Sequence, residues 1–183
     1  MFDVRIVKNF LSKEKCDSLN KAAMLGVEKG WVDKGISRKK FDYPLRYTSR
    51  IHMKDNEYPK EVLDISNKIR EFCGIDQYPI IEGHGKNGAV VSVTFNGGDT
   101  YEHNDPRSEC GLYATYRCNV LTQKPNFGGV LFVNGKEIQL EEGDLHCYFA
   151  SEVKHYVTTT TGDIPRILWM FGAHIPLSEI NNT

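Results

Sequence analysis

The stretch GGVLFVNGKEIQL, residues 128–140, decides the fold class. Two short apolar runs flank Asn134-Gly135, a pair suited to the two positive-φ positions of a type I′ turn, so a β-hairpin is predicted. The same texture extends in both directions. Upstream, AVVSVTF (89–95) alternates and is β-branched, and GLYATYRCNVL (111–121) reads as another strand. Downstream, GDLHCYFA (143–150), KHYVTTTT (154–161) and PRILWMFGAHI (165–175) complete the series. Short strands from residue 79 onward, separated by Gly-rich turns, predict a sandwich or barrel.

The first half carries the helices. FDVRIV (2–7) reads as an opening strand. A helix follows from an N-cap at Ser12, with Cys16, Leu19, Ala23 and Val27 on one stripe and Gly30 as the stop. A second helix fits residues 58–74. Pro59 suits its first turn, Val62, Ile65, Ile69 and Phe72 form its stripe, and Gly74 ends it. Between them lies a long polar and aromatic segment, 31–53, in which only the end looks like a strand. Its length marks it as a candidate lid or substrate loop. No repeat, low-complexity tract or linker interrupts the chain, so one domain of 183 residues is expected, with helical support over 1–78 and a β-core over 79–176.

Bulk composition excludes several functions. Net charge is −1, which argues against broad electrostatic binding to nucleic acid or an anionic membrane. No apolar run approaches the roughly 20 residues that span a bilayer, and the N-terminus has no secretory-signal pattern. The five cysteines, with no C-x-x-C pair, fit neither a zinc ribbon nor a disulfide framework. They read as small buried hydrophobes in a reduced, cytoplasmic protein.

The chemistry-bearing residues sit in the β-half. His103 and Asp105, in YEHNDP (101–106), are two apart, which on an extended strand turns both to one side. Alone this is a weak signal. His155 and Arg166 join it. Two histidines and one carboxylate make a facial triad, which holds one face of a metal and suits non-haem Fe(II). The 50 positions from Asp105 to His155 are a poor zinc-finger spacing, so only a fold uniting distant strands can assemble the set. His146 competes with His155 for the third place.

Four pieces taken together resemble the Fe(II)- and 2-oxoglutarate-dependent dioxygenases, in particular their prolyl 4-hydroxylase-like branch. They are FNGGDTYEHND (95–105), GGVLF (128–132), LEEGDLHCYFASEVKHYV (140–157) and GDIPRILWMFG (162–172). The resemblance implies a double-stranded β-helix, a form of jelly roll, with the site in its mouth. It implies that His103, Asp105 and His155 ligate Fe(II), and that Arg166 receives the far carboxylate of 2-oxoglutarate by charge-assisted hydrogen bonds. Close prolyl hydroxylases often have lysine there, so Arg166 is a departure that bears on substrate class. The carboxylate at 105 favours hydroxylation over halogenation. Ascorbate is a further cofactor candidate on the same grounds.

Other contacts stay open between two readings. Arg117 and Asn119 share a strand face that turns either into the pocket, toward the co-substrate, or toward solvent. Tyr101 is either pocket wall and cofactor contact or an ordinary strand aromatic. Arg46, Arg50 and Arg107 are either solvated or near an anionic or peptide substrate. His52, His84 and His174 are expected to be structural or exposed, and Trp31 and Trp169 to be packing residues. The expected activity is O2-dependent hydroxylation of an unactivated C–H bond, of a peptidyl proline, a free amino acid or another small molecule. The rivals are a nucleic-acid oxidative demethylase, disfavoured by the missing second arginine after Arg166, and a non-catalytic cupin-like metal-binding module.

Overall fold

The computed structural model describes residues 3–34, 46–50, 61–81 and 88–180. Most of the 31–53 segment, Pro59, His52 and His84 lie outside these residues. The chain opens with β1 (Arg5–Val7) and α1 (Lys13–Glu28), then β2 (Asp33–Lys34), β3 (Arg46–Arg50) and α2 (Glu61–Cys73). The β-half follows as β4 (Val90–Thr94), β5 (Thr100–His103), β6 (Tyr113–Gln123), β7 (Phe127–Gly128), β8 (Leu131–Val133) and β9 (Lys136–Ile138). It ends with β10 (Leu145–Phe149), β11 (His155–Val157), β12 (Thr160–Thr161), β13 (Arg166–Pro176) and the short α3 (Leu177–Ile180).

All pairings are antiparallel. The major sheet runs β1-β10-β6-β13-β4-β3-β2, and the minor sheet β5-β11-β8-β9, with β12-β7 as a separate ribbon. This is mainly β with supporting helices, a double-stranded β-helix. Asn134 and Gly135 both have positive φ, 49° and 72°, as a type I′ turn requires, and β8 pairs with β9 across them.

Two apolar layers result. The first lies between the helices and the major sheet. α1 starts at Ser12, whose side chain accepts from the Lys15 N–H, and buries Cys16, Leu19 and Ala23. Gly26 completes that stripe where Val27 was expected, because a Cβ there would lie 2.7 Å from Val32 Cγ2. α2 buries Val62, Ile65, Ser66 and Ile69, while Phe72 is 46% exposed. In the last turn of α2 the Phe72 ring turns aside from the sheet and packs edge-on against Phe10 beneath Arg5. Arg70 fastens α2 to the β-core, donating to the carbonyls of Gly172, Asp76 and Tyr78. Burying each Leu or Ile here contributes about 1.5–3 kcal/mol.

The second layer lies between the sheets and contains Leu121, Leu131, Val133, Leu140, Tyr148, Ala150, Val153 and Leu168. Residues 154–161, expected as one strand, divide at Thr158–Thr159. There Gly129 N–H donates to Thr159 O, and a Cβ on Gly128 would lie 1.9 Å from that oxygen. The Gly-Gly turn thus approaches too closely for the strand to continue in one sheet.

Candidate active site

His103 ends β5 and His155 begins β11, and they are direct partners in the ladder of the minor sheet. Their ring centroids are 4.3 Å apart. Asp105 lies beyond the end of β5, so its convergence comes from loop anchoring rather than from strand alternation. Its N–H donates to Ala150 O (2.9 Å), the Asn104 amide donates to Ser151 O, and Arg107 grips Glu152 with Nε at 2.9 Å and a terminal nitrogen at 2.6 Å. These three contacts bind the loop after β5 to the turn that precedes His155. Asp105 Oδ1 then lies 3.5 Å from His103 Nε2 and 3.9 Å from His155 Nε2. One donor atom from each residue falls within 4.8 Å of the others, spacing that fits a single metal ion.

The tautomers follow from the partners. His103 Nδ1 is 2.8 Å from Tyr101 O, and His155 Nδ1 is 3.2 Å from Val153 O. A carbonyl only accepts, so each Nδ1 carries the proton, and in the neutral ring each Nε2 offers its lone pair to the common point. Burial holds the His155 pKa down to about 4, against the opposing pull of Asp105, which keeps it neutral at physiological pH. Burial alone would raise the pKa of Asp105. The Arg117 guanidinium outweighs it and holds the carboxyl well below the usual range. Arg117 Nε donates to Asp105 Oδ2 at 2.6 Å, so one carboxylate oxygen is fixed and Oδ1 faces the histidines.

The interior continues below this donor set on the major sheet. On β6, Arg117 and Asn119 face inward; their partners on β10 are Tyr148 and His146. The Tyr148 ring meets His155 edge-on at 5.2 Å across the gap between sheets. Burial, then the charge of Asp105, raises the Tyr148 pKa, so its phenol is a neutral donor. Arg166 starts β13 and is 3% exposed; its Nε donates to Gly129 O at 2.9 Å. Gly129 has φ 64°, and a Cβ there would lie 3.0 Å from Arg166 Cδ, so this glycine leaves room for the arginine. Burial and the neighbouring charge of Arg166 lower the His146 pKa to about 3. The Asn119 amide lies 3.5 Å from His146 Nε2. Among the described residues, the buried His146 Nδ1 and Asn119 Oδ1 have no hydrogen-bond partner. Polar atoms orphaned in an interior call for a partner, whether water, ion or ligand.

The remaining expectations are located as follows. Tyr101 stands on the rim, 40% exposed, with its ring 5.1 Å from His103. Arg107 is engaged by Glu152, and Arg46 and Arg50 end the edge-side strand β3. His174 is buried beside Thr115, and Trp169 is a core residue, 1% exposed. Tyr148, and His146 as part of the pocket floor, were not found from the sequence. Alternation in GDLHCYFA pairs them on one face, but β10 is buried on both faces, so nothing in the pattern says which face is the pocket.

A double-stranded β-helix whose mouth gathers two imidazoles and a carboxylate can hold a first-row divalent metal and leave coordination positions open. No known family profile and no curated protein matches the chain. Solved structures do share the fold. A Pseudomonas putida prolyl-4-hydroxylase superposes with TM-score 0.71 at 14% identity, covering 95% of this chain and 94% of that one. The viral collagen prolyl hydroxylase of Paramecium bursaria Chlorella virus-1, in its 2OG complex, gives 0.66 at 18% identity over 94% and 95%. A Trichoplax adhaerens prolyl hydroxylase, in complex with a hypoxia inducible factor oxygen degradation domain peptide fragment, gives 0.71 at 13% identity over 93% and 83%.

Proposed function

We propose that the protein is an Fe(II)- and 2-oxoglutarate-dependent oxygenase that hydroxylates an unactivated C–H bond. The observation that carries this reading is the convergence of His103 Nε2, His155 Nε2 and Asp105 Oδ1 on one point, with both tautomers set by main-chain carbonyls. The donor set fits Fe(II), being borderline imidazole plus hard carboxylate with one face left open. The interior fits 2-oxoglutarate, because Arg166 supplies a buried positive charge near the orphaned His146 Nδ1. When bound, iron and the keto acid supply the oxidising chemistry that takes O2 to a hydroxylated product, succinate and CO2.

The chain's own groups then have definable roles. His103, Asp105 and His155 hold the metal. Arg117 orients the carboxylate through Oδ2 and offsets its charge. Arg166 receives the far carboxylate of the co-substrate, and the neutral Tyr148 phenol and His146 Nδ1–H are donors on the same floor. Asn119 positions His146. Tyr101 contributes the carbonyl that fixes His103, and its exposed ring lies where a substrate would pass rather than at the cofactor. The apolar side chains between the sheets exclude water from the floor.

The favoured substrate is a prolyl residue in a peptide, supported by the prolyl hydroxylases that share the fold, with a free amino acid as the alternative. The whole chain acts as one domain; the first 78 residues were expected as helical support, but their β1, β2 and β3 join the β-core of residues 79–176 in the major sheet. Its five free thiols support a reducing, cytoplasmic setting. Among the described residues no helix is long and apolar enough to cross a membrane. The test is succinate release with Fe(II), 2-oxoglutarate and O2 over a panel of proline peptides and free amino acids, with and without ascorbate. Turnover that His155→Ala abolishes is expected. A calorimetric titration with Mn(II) and 2-oxoglutarate adds a readout independent of substrate. Binding of the keto acid that is unchanged in Arg166→Ala overturns the assigned pocket.

A further inference from the structure

A second cluster of ligand atoms lies on the other side of the major sheet. Cys118 falls between the inward-facing Arg117 and Asn119 on β6, and Cys147 between His146 and Tyr148 on β10, so both point away from the pocket. They are direct cross-strand partners. Cys73, the last residue of α2, meets them from above. Its sulfur is 3.8 Å from Cys147 Sγ and 3.8 Å from Cys118 Sγ, and all three sulfurs lie within 4.8 Å of one another.

We propose that Cys73, Cys118 and Cys147 form a second metal site, for a thiophilic divalent cation of the Zn2+ class. Zinc–thiolate bonds of about 2.3 Å in a tetrahedral frame set sulfurs about 3.8 Å apart, the spacing found here. A disulfide, at about 2.05 Å, would need one pair to close by well over an ångström and would leave the third thiol odd. Three thiolates and a divalent ion leave one negative charge. Arg5, the cross-strand partner of Cys147, supplies the offset, with its guanidinium held over the Phe72 ring beside Cys73. Cys118 and Cys147 are buried and Cys73 is half-buried, so the fourth coordination position opens toward solvent through Cys73. The ion would join α2 to two central strands, and its displacement would loosen the helix that Arg70 holds against Gly172.

Co(II) is the probe. Only thiolates give an intense near-ultraviolet charge-transfer band with it, so the imidazole–carboxylate site stays silent in that region. The full chain, reduced and stripped with a chelator, is titrated with Co(II) without oxygen. One equivalent is expected to saturate the band in the unaltered chain and in His155→Ala alike, and Zn2+ is expected to displace it. Cys73→Ser, at the half-exposed position, is expected to lose the band, and Cys73→His to keep a weaker, shifted one, which guards against a mere folding defect. Absence of the band in the unaltered chain, or its survival in Cys73→Ser, overturns the assignment. So does a disulfide among the three cysteines in the freshly purified protein.

Discussion

The Arg117–Asp105 pair permits a quantitative test. The Asp105 carboxylate has 12% of its side-chain surface exposed and Arg117 14%, with Nε at 2.6 Å from Oδ2. Removing one partner of such a buried pair costs about 3–5 kcal/mol, because an uncompensated charge stays behind. The Asp105 side chain keeps 12% of its surface in contact with solvent, which softens the loss. The lower end, about 3 kcal/mol, is therefore expected for Arg117→Met in the metal-free protein. For a chain of this size that shifts Tm by about 6–12 °C. Asp105→Asn and the double variant close a thermodynamic cycle, read by urea denaturation with a chelator present. The double variant is expected to recover at least ~2 kcal/mol relative to the sum of the singles. In Arg117→Met, burial raises the unpaired carboxyl's pKa, so the deficit narrows as pH falls and that group protonates. A coupling below ~0.5 kcal/mol, or a deficit that widens in acid, refutes the view that Arg117 acts through this carboxylate.

Other perturbations follow from the same geometry. Gly129→Ala, at φ 64° with its Cβ 2.8 Å from Pro125 and 3.0 Å from Arg166, is expected to destabilise by about 1–3 kcal/mol in urea melts and to weaken 2-oxoglutarate binding by calorimetry. Arg70→Met strands the carbonyls of Gly172 and Tyr78 and is expected to lower stability by about 2 kcal/mol, again by urea melts. His146 has a folded pKa lowered to about 3 from an ordinary 6.5. Between those values the unfolded chain holds a proton that the folded chain does not, so stability falls as pH drops through that window and is complete above it. His146→Gln is expected to flatten that slope by up to one proton, measured as denaturation midpoints over a pH series.

The fold was legible where local chemistry allows one answer. Asn134-Gly135 admits little but a tight hairpin, and Ser12 with its apolar stripe admits little but a helix start. Failures came where tertiary contact overrides pattern. Phe72 keeps the helical period yet ends half outside, because its ring packs on Phe10 rather than on the sheet that the neighbouring Cys73 meets. Thr158–Thr159 look like uninterrupted strand, and only the approach of Gly128 and Gly129 breaks them. For the candidate site, His103, Asp105, His155 and Arg166 were signalled by the order of four motifs along the chain. Tyr148 and His146 were not, because a strand buried on both sides carries no sign of which face is a pocket. The three-cysteine cluster was missed for a related reason. Its members come from a helix end and two strands, and no spacing rule connects them.

The two imidazoles of the donor set share one device, each ring anchored by the carbonyl two residues earlier, Tyr101 O or Val153 O. Main chain is the one hydrogen-bonding partner that mutation seldom removes. A lineage can therefore replace the exposed side chain at position 101 without turning the His103 ring, while Val153 is held in addition by the apolar layer between the sheets. The ligand geometry is insulated, while the rim around it is open to drift. Such a scaffold can change what it accepts at the mouth while the chemistry at its centre stays constant.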